Sequence, residues 1–192
     1  MTKTDNANLG AKLALRRYFL RRYHAGAVPQ VFDACQGSGI IWGQLREEFK
    51  VRYWGVDVKP EKGRVQINSE RVLAQPGWRF DVVDVDTYGA PWKHWVEIIR
   101  HLDHPATVFL TVGAVHSRVL NTGSTDGHVI RALGLDRLPS LPKAFWGKLE
   151  DLGTEVMLGL YAQHGLRLVE AREAPPSVHA RYIGLRLEPA PG

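Results

Sequence analysis

Three carboxylates fall within six positions of the run Phe80-Asp81-Val82-Val83-Asp84-Val85-Asp86-Thr87-Tyr88-Gly89-Ala90-Pro91-Trp92. On a strand, Asp84 and Asp86 share one side, where like charges repel unless a cation or hydrogen-bond donors offset them. Packing gives no reason for such a cluster. A carboxylate can accept the N–H of an amine while that nitrogen attacks an electrophile. Hard oxygens can also bind Mg²⁺, and purely local structural use is a third reading. Asp86, with the aromatic Tyr88 two residues on, closes the cluster.

A second set of residues has the types and spacing of a nucleotide loop. In Val31-Phe32-Asp33-Ala34-Cys35-Gln36-Gly37-Ser38-Gly39 an apolar stretch ends in an acid and two glycines, and a helical pattern opens at Ile40. Glycines let the backbone approach a ligand and take positive φ without a Cβ penalty. The spacing is not that of the dinucleotide fingerprint GxGxxG. Asp57 follows Gly39 by 18 residues, near the end of Tyr53-Trp54-Gly55-Val56-Asp57-Val58. A carboxylate closing a second strand there can accept both hydroxyls of a ribose. Asn68 carries a donor and an acceptor that suit an adenine edge, or a plain turn.

These residues need a frame. The sequence predicts strands at Val31-Phe32, Val51 to Val58, Val65 to Asn68, Phe80 to Val85, Ala106 to Val112, Gly165 to Ala171 and Ala180 to Leu187. Helices are expected over Ala11 to His24, Ile40 to Phe49, Ser69 to Ala74, Trp92 to Leu102 and Phe145 to Gln163, with a shorter one near Gly127 to Leu133. Strands alternating with helices imply a parallel sheet covered on both faces, and the last two strands, with no helix between them, an antiparallel hairpin. The Gly-, Ser- and Pro-punctuated stretch from His116 to Pro142 is where a binding loop is expected.

Composition sets the outer bounds. With 192 residues, 44% hydrophobic and 23% charged, the chain has the make-up of one globular domain. One cysteine, Cys35, excludes an intramolecular disulfide, and no histidine spacing suits zinc, so no metal site is expected. No apolar run approaches a membrane span and no secretory signal is evident, so a cytoplasmic, non-membrane protein is expected. The oligomeric state is not set by the sequence. The formal charge of +5 is localised: residues 1–30 hold Lys3, Lys12, Arg16, Arg17, Arg21 and Arg22 against Asp5 alone. Residues 1–27 therefore read as a basic helical extension to a domain over 28–192. Arg16, Arg17, Arg21 and Arg22 are its candidate contacts to a polyanion such as RNA or DNA, with a merely solvated face as the alternative. Like charges at Lys12/Arg16 and Arg17/Arg21 cost helix stability, so an apolar face or an anionic partner must compensate.

The order of these segments resembles the class I (Rossmann-like) S-adenosylmethionine (SAM)-dependent methyltransferases over residues 28–188. That family's first motif is D/E-x-G-x-G-x-G, and Cys35 stands where its first glycine usually is. The resemblance implies a doubly wound, mostly parallel seven-stranded sheet with a C-terminal antiparallel hairpin, and SAM as cofactor. It also implies cofactor contacts at Asp33, Cys35, Gly37, Ser38, Gly39, Asp57, Val58, Asn68 and Asp84. The Asp84–Trp92 run looks most like the D-x-D-P-Y/F-G-x-P run of tRNA guanine N2-dimethyltransferases, with Thr87 in place of proline. By that resemblance Asp86 accepts an N–H from an exocyclic base amine, and Tyr88, Pro91 and Trp92 contact the base. A small-molecule or protein methyltransferase, and a SAM-binding module without catalysis, are the alternatives.

Overall fold

The computed structural model describes residues 8–60, 65–87, 89–113, 131–132, 134, 146–175 and 180–191. Their elements are α1 (Leu9–Tyr23), β1 (Gln30–Asp33), α2 (Ile40–Glu48), β2 (Arg52–Asp57), β3 (Val65–Gln66) and α3 (Ser69–Leu73). There follow β4 (Val82–Val85), α4 (Trp92–His101), β5 (Ala106–Gly113), α5 (Trp146–Gly159), a 3₁₀ segment (Leu160–His164), β6 (Leu166–Ala174) and β7 (Ala180–Pro189). The seven strands form one sheet in the order β3-β2-β1-β4-β5-β7-β6. The first five pair in parallel, while β7 runs antiparallel between β5 and β6. This is the expected doubly wound sheet with its terminal hairpin.

Alternation along the central strands divides the core in two. Val83 and Val85 of β4 and Val108 and Leu110 of β5 pack with Trp92, Trp95, Ile98, Ile99 and Met157. Val82 and Phe109 point the other way, toward Leu13, Leu15, Phe19 and Leu20 of α1 and Trp42 and Leu45 of α2. Side chains two apart on a strand share a face, so Asp84 joins Val82 on the α1/α2 side. The helix expected as an extension thus shares a core with the sheet. Tyr18 and Tyr23 tie it further to β6, donating to Glu170 at 2.7 and 2.6 Å.

Strand order reverses at β1, with β2 on one side and β4 on the other. Ligands of open α/β sheets bind outside the carboxyl ends of strands at such a switch point. Asp33, Asp57 and Asp86 all lie at or just beyond those ends. No described helix is long and apolar enough to cross a membrane. The expected binding stretch, His116 to Pro142, lies almost wholly outside the described residues, as does Tyr88.

Candidate active site

The turn after β1 is held by backbone bonds on both sides. Ala34 N–H donates to the Asp84 carbonyl at 2.8 Å, and Gln36 N–H to the Val56 carbonyl at 2.9 Å. Gly37 and Gly39 take φ of +53° and +71°, the left-handed region where a side chain would be strained. Gly39 sits at the start of α2 with no side-chain cap, so the helix's first amides are left for another acceptor. Ser38 is exposed at the turn's tip, and Cys35 is half-buried behind it. Burial, then nearby carboxylates led by Asp33, raises the Cys35 thiol well above its usual range, which makes it a packing residue rather than a nucleophile.

Asp57 faces this turn from the end of β2. One carboxylate oxygen accepts from Gly37 N–H at 2.9 Å and the other from Lys59 N–H at 2.9 Å. A carboxylate oxygen can accept more than one donor, as a ribose contact here requires. Val58, 59% exposed, presents an apolar surface next to it. Asn68 caps α3: its Oδ1 accepts from Glu70 N–H at 2.9 Å, which commits the acceptor that an adenine amino group would use.

The acid cluster is organised by α1. Asp33 and Asp84 are register partners on β1 and β4. Arg16 grips Asp84 with two parallel bonds, Nε to Oδ2 at 2.7 Å and Nη2 to Oδ1 at 2.6 Å, and Trp42 Nε1 donates to the same Oδ2 at 2.7 Å. Both side chains of the pair are only 2% exposed. Burial works against the Arg16 charge, but Asp84 outweighs it and holds the guanidinium above its ordinary range. One helical turn earlier, Lys12 Nζ donates to both oxygens of Asp86 at 2.8 and 2.7 Å. Lys12 and Arg16 also lie over the rings of Tyr182 and Phe109, each at 5.0 Å. The compensation that Mg²⁺ could have supplied therefore comes from two cations of α1.

This geometry corrects four expectations. Arg16 cannot reach a polyanion, because it is sealed against Asp84. Asp84 cannot touch a cofactor directly, because Arg16 and Trp42 occupy its carboxylate. Trp92 is a core residue, 2% exposed among the α4 side chains, and offers no face to a substrate. Pro91 is likewise buried, at the entry to α4. Of the remaining arginines, Arg17 is paired with Glu48 and Arg22 with Glu170, while Arg21, 69% exposed, lies 3.8 Å from the same Glu48.

Three residues that carry little sequence signal of their own complete the site. Lys12 enters the sequence pattern only as charge, although its like-charged partner four residues on already calls for an apolar face or an anion to compensate. Trp42 gives no signal beyond its place on an amphipathic helix. Tyr53, which donates to Asp33 at 2.8 Å, gives none either. The loop beyond β4 is held by Gly113 N–H donating to the Gly89 carbonyl at 2.9 Å. A Cβ on Gly113 would come within 3.0 Å of the Gly89 backbone. Thr87, in the proline position, has a buried hydroxyl with no hydrogen-bond partner among the described residues.

Burial, reinforced by Asp84, pushes the Asp33 carboxyl up to about 8, despite the Tyr53 hydroxyl and Arg16. An unfolded chain releases this proton near pH 4, so the folded chain binds more protons between about pH 4 and 8. The contribution is present below the ordinary carboxylate range and is lost as pH rises through about 8. Unfolding free energy from urea titrations should fall across that window, and Asp33→Asn should remove this part of the slope. An unchanged slope in the variant would show that Asp33 ionises normally.

No family model matches the chain, and no curated protein does either. Solved structures do. Trm1 from Pyrococcus horikoshii, in complex with S-adenosyl-L-methionine, superposes with a TM-score of 0.58 at 14% identity, over 95% of this chain and 55% of its own. A protein of Streptococcus thermophilus that carries the name hemolysin gives 0.53 at 11% identity, over 94% and 66%. The 1,6-didemethyltoxoflavin-N1-methyltransferase of Burkholderia thailandensis, with its substrate and S-adenosylhomocysteine, gives 0.50 at 18% identity, over 98% and 80%. With this strand order and hairpin, the chain has the class I SAM-dependent methyltransferase fold. It spans about 55% of the Trm1 chain's length.

Proposed function

We propose that the protein is a SAM-dependent methyltransferase whose acceptor is an exocyclic amine of a base in RNA or DNA. The observation that carries the reading is the switch point, where the Gly37–Gly39 turn and the uncapped start of α2 meet the Asp57 carboxylate. These residues fit an adenosyl group: Asp57 for the ribose hydroxyls, Val58 against the adenine, and the uncapped first amides of α2 for polar atoms. Asp33, expected to meet the cofactor's ammonium, is instead 4% exposed with its oxygens taken by the Cys35 amide and the Tyr53 hydroxyl, so it supports the turn from beneath. When bound, SAM supplies an electrophilic methyl on a sulfonium. Asp86, beyond β4, then accepts an N–H of the incoming amine and aims its nitrogen. Arg21, with Arg17 and Arg22 beside it, offers positive charge to a phosphate backbone.

The similar structures include a small-molecule methyltransferase by name, so the test needs both kinds of acceptor. Labelled SAM is offered with RNA, single-stranded DNA and small aromatic amines. Transfer to nucleic acid is expected, with Asp86→Asn losing about 10²–10⁴-fold in rate, as the loss of a positioned proton acceptor does. Neutralising Arg17, Arg21 and Arg22 should flatten the salt dependence of nucleic-acid binding by about one unit of slope for each phosphate no longer neutralised. Transfer only to small amines, with the salt slope unaltered, would exclude the nucleic-acid substrate and leave methyl transfer standing.

A further inference from the structure

The position beside Asp86, where the proposed reaction needs an amine, already holds one. Lys12 Nζ lies 2.8 and 2.7 Å from the two oxygens of Asp86. Its side chain is 6% exposed, so modifying reagents in bulk solvent have little access to it. Two of the three N–H positions are used on Asp86. The third has no hydrogen-bond partner among the described residues, only the Tyr182 ring at 5.0 Å from the nitrogen. A methyl added there would leave both contacts to Asp86 intact, and a methylated lysine keeps its charge.

We propose that Lys12 is itself a methyl acceptor of this site, so that the protein modifies its own first helix. The inference rests on the reading of Asp86 as the amine-facing carboxylate. The ammonium first gives one proton to Asp86, and rotation about the Cε–Nζ bond turns the freed lone pair away from that carboxylate. The freed nitrogen lone pair then forms the N–CH₃ bond as the S–CH₃ bond of SAM breaks. The bonding pair stays on sulfur, giving S-adenosylhomocysteine and N-methyllysine. An aliphatic amine is a stronger nucleophile than a base amine, whose lone pair is delocalised into the ring. Lys12 therefore needs its proton removed, whereas the acceptor proposed above needs its delocalised lone pair localised.

The test incubates the full-length protein with SAM, without any other acceptor, and maps methyl groups by peptide mass spectrometry. Binding of SAM to the same preparation is measured by calorimetry. Methylation is expected at Lys12 in preference to every other lysine, absent in Lys12→Arg, and slowed about 10²–10⁴-fold in Asp86→Asn. If SAM binds and Lys12 stays unmodified, or only other lysines gain methyl groups, the proposal falls and the cofactor reading survives. If SAM does not bind at all, both fall.

Discussion

Arg16→Met is expected to destabilise the protein by about 3–5 kcal/mol, the usual cost of leaving one member of a buried ion pair without its partner. The pair qualifies because Arg16 and Asp84 are each 2% exposed and joined by two short parallel bonds. Without the guanidinium, Asp84 would be left buried next to Asp33, with Trp42 Nε1 as its only remaining side-chain donor among the described residues. Asp84→Asn should cost a similar amount for the opposite reason, since Arg16 would then be buried with no counter-charge. The double variant should lose clearly less than the sum of the two, because it removes both charges together. Urea unfolding at fixed pH measures all three. Additive losses would mean that the two side chains do not act as a pair.

The second large effect is on binding. Asp57→Ala should weaken SAM affinity by about 10²-fold or more, since hydrogen bonds to a charged acceptor contribute about 1.5–3 kcal/mol each and two ribose hydroxyls lose theirs. Part of the loss would come from the turn itself, because Asp57 also receives the Gly37 amide. Asp57→Asn separates the two effects: it keeps one carbonyl acceptor but loses the charge, so its affinity should fall between wild type and Asp57→Ala. Thermal unfolding without ligand should move far less than affinity does. An alanine variant that binds SAM as well as the parent would remove Asp57 from the ribose role.

Much of this fold is legible in the chain because the central strands leave little choice. Ala106 to Val112 is apolar and largely β-branched, and it becomes β5, buried at nearly every position. The acid and glycine spacing after Val31-Phe32 likewise specifies the strand-turn-helix seen at β1 and α2. Periodicity fails at α1. The apolar positions Ala11, Ala14, Leu15, Tyr18 and Phe19 suggest its inner face, but the buried set is Lys12, Leu13, Leu15, Arg16, Phe19 and Leu20. Two of those six are cations, which no hydrophobic pattern assigns to a core. Charge counting places the excess correctly on this helix and cannot say which way it faces. The acids that Lys12 and Arg16 neutralise lie more than sixty residues away in sequence. Trp92 departs from expectation for a related reason: an aromatic next to chemistry-bearing residues looks like a platform until packing shows it inside.

Asp84 and Asp86 therefore have different roles despite sitting two residues apart. Asp84 anchors α1 to the sheet, and Asp86, beyond the end of β4, keeps a side chain 19% exposed beside Lys12. The fold alone does not decide chemistry, since similar folds carry many reactions. The proposed methyl transfer depends on a cofactor crevice at the ends of β1 and β2.

Titration calorimetry of the full-length protein with SAM, run beside ATP and NAD, tests that crevice most directly. A saturable heat at one site per chain, competed by S-adenosylhomocysteine and absent with ATP and NAD, is the expected result. A folded protein that gives no saturable heat with SAM would contradict the account at its foundation.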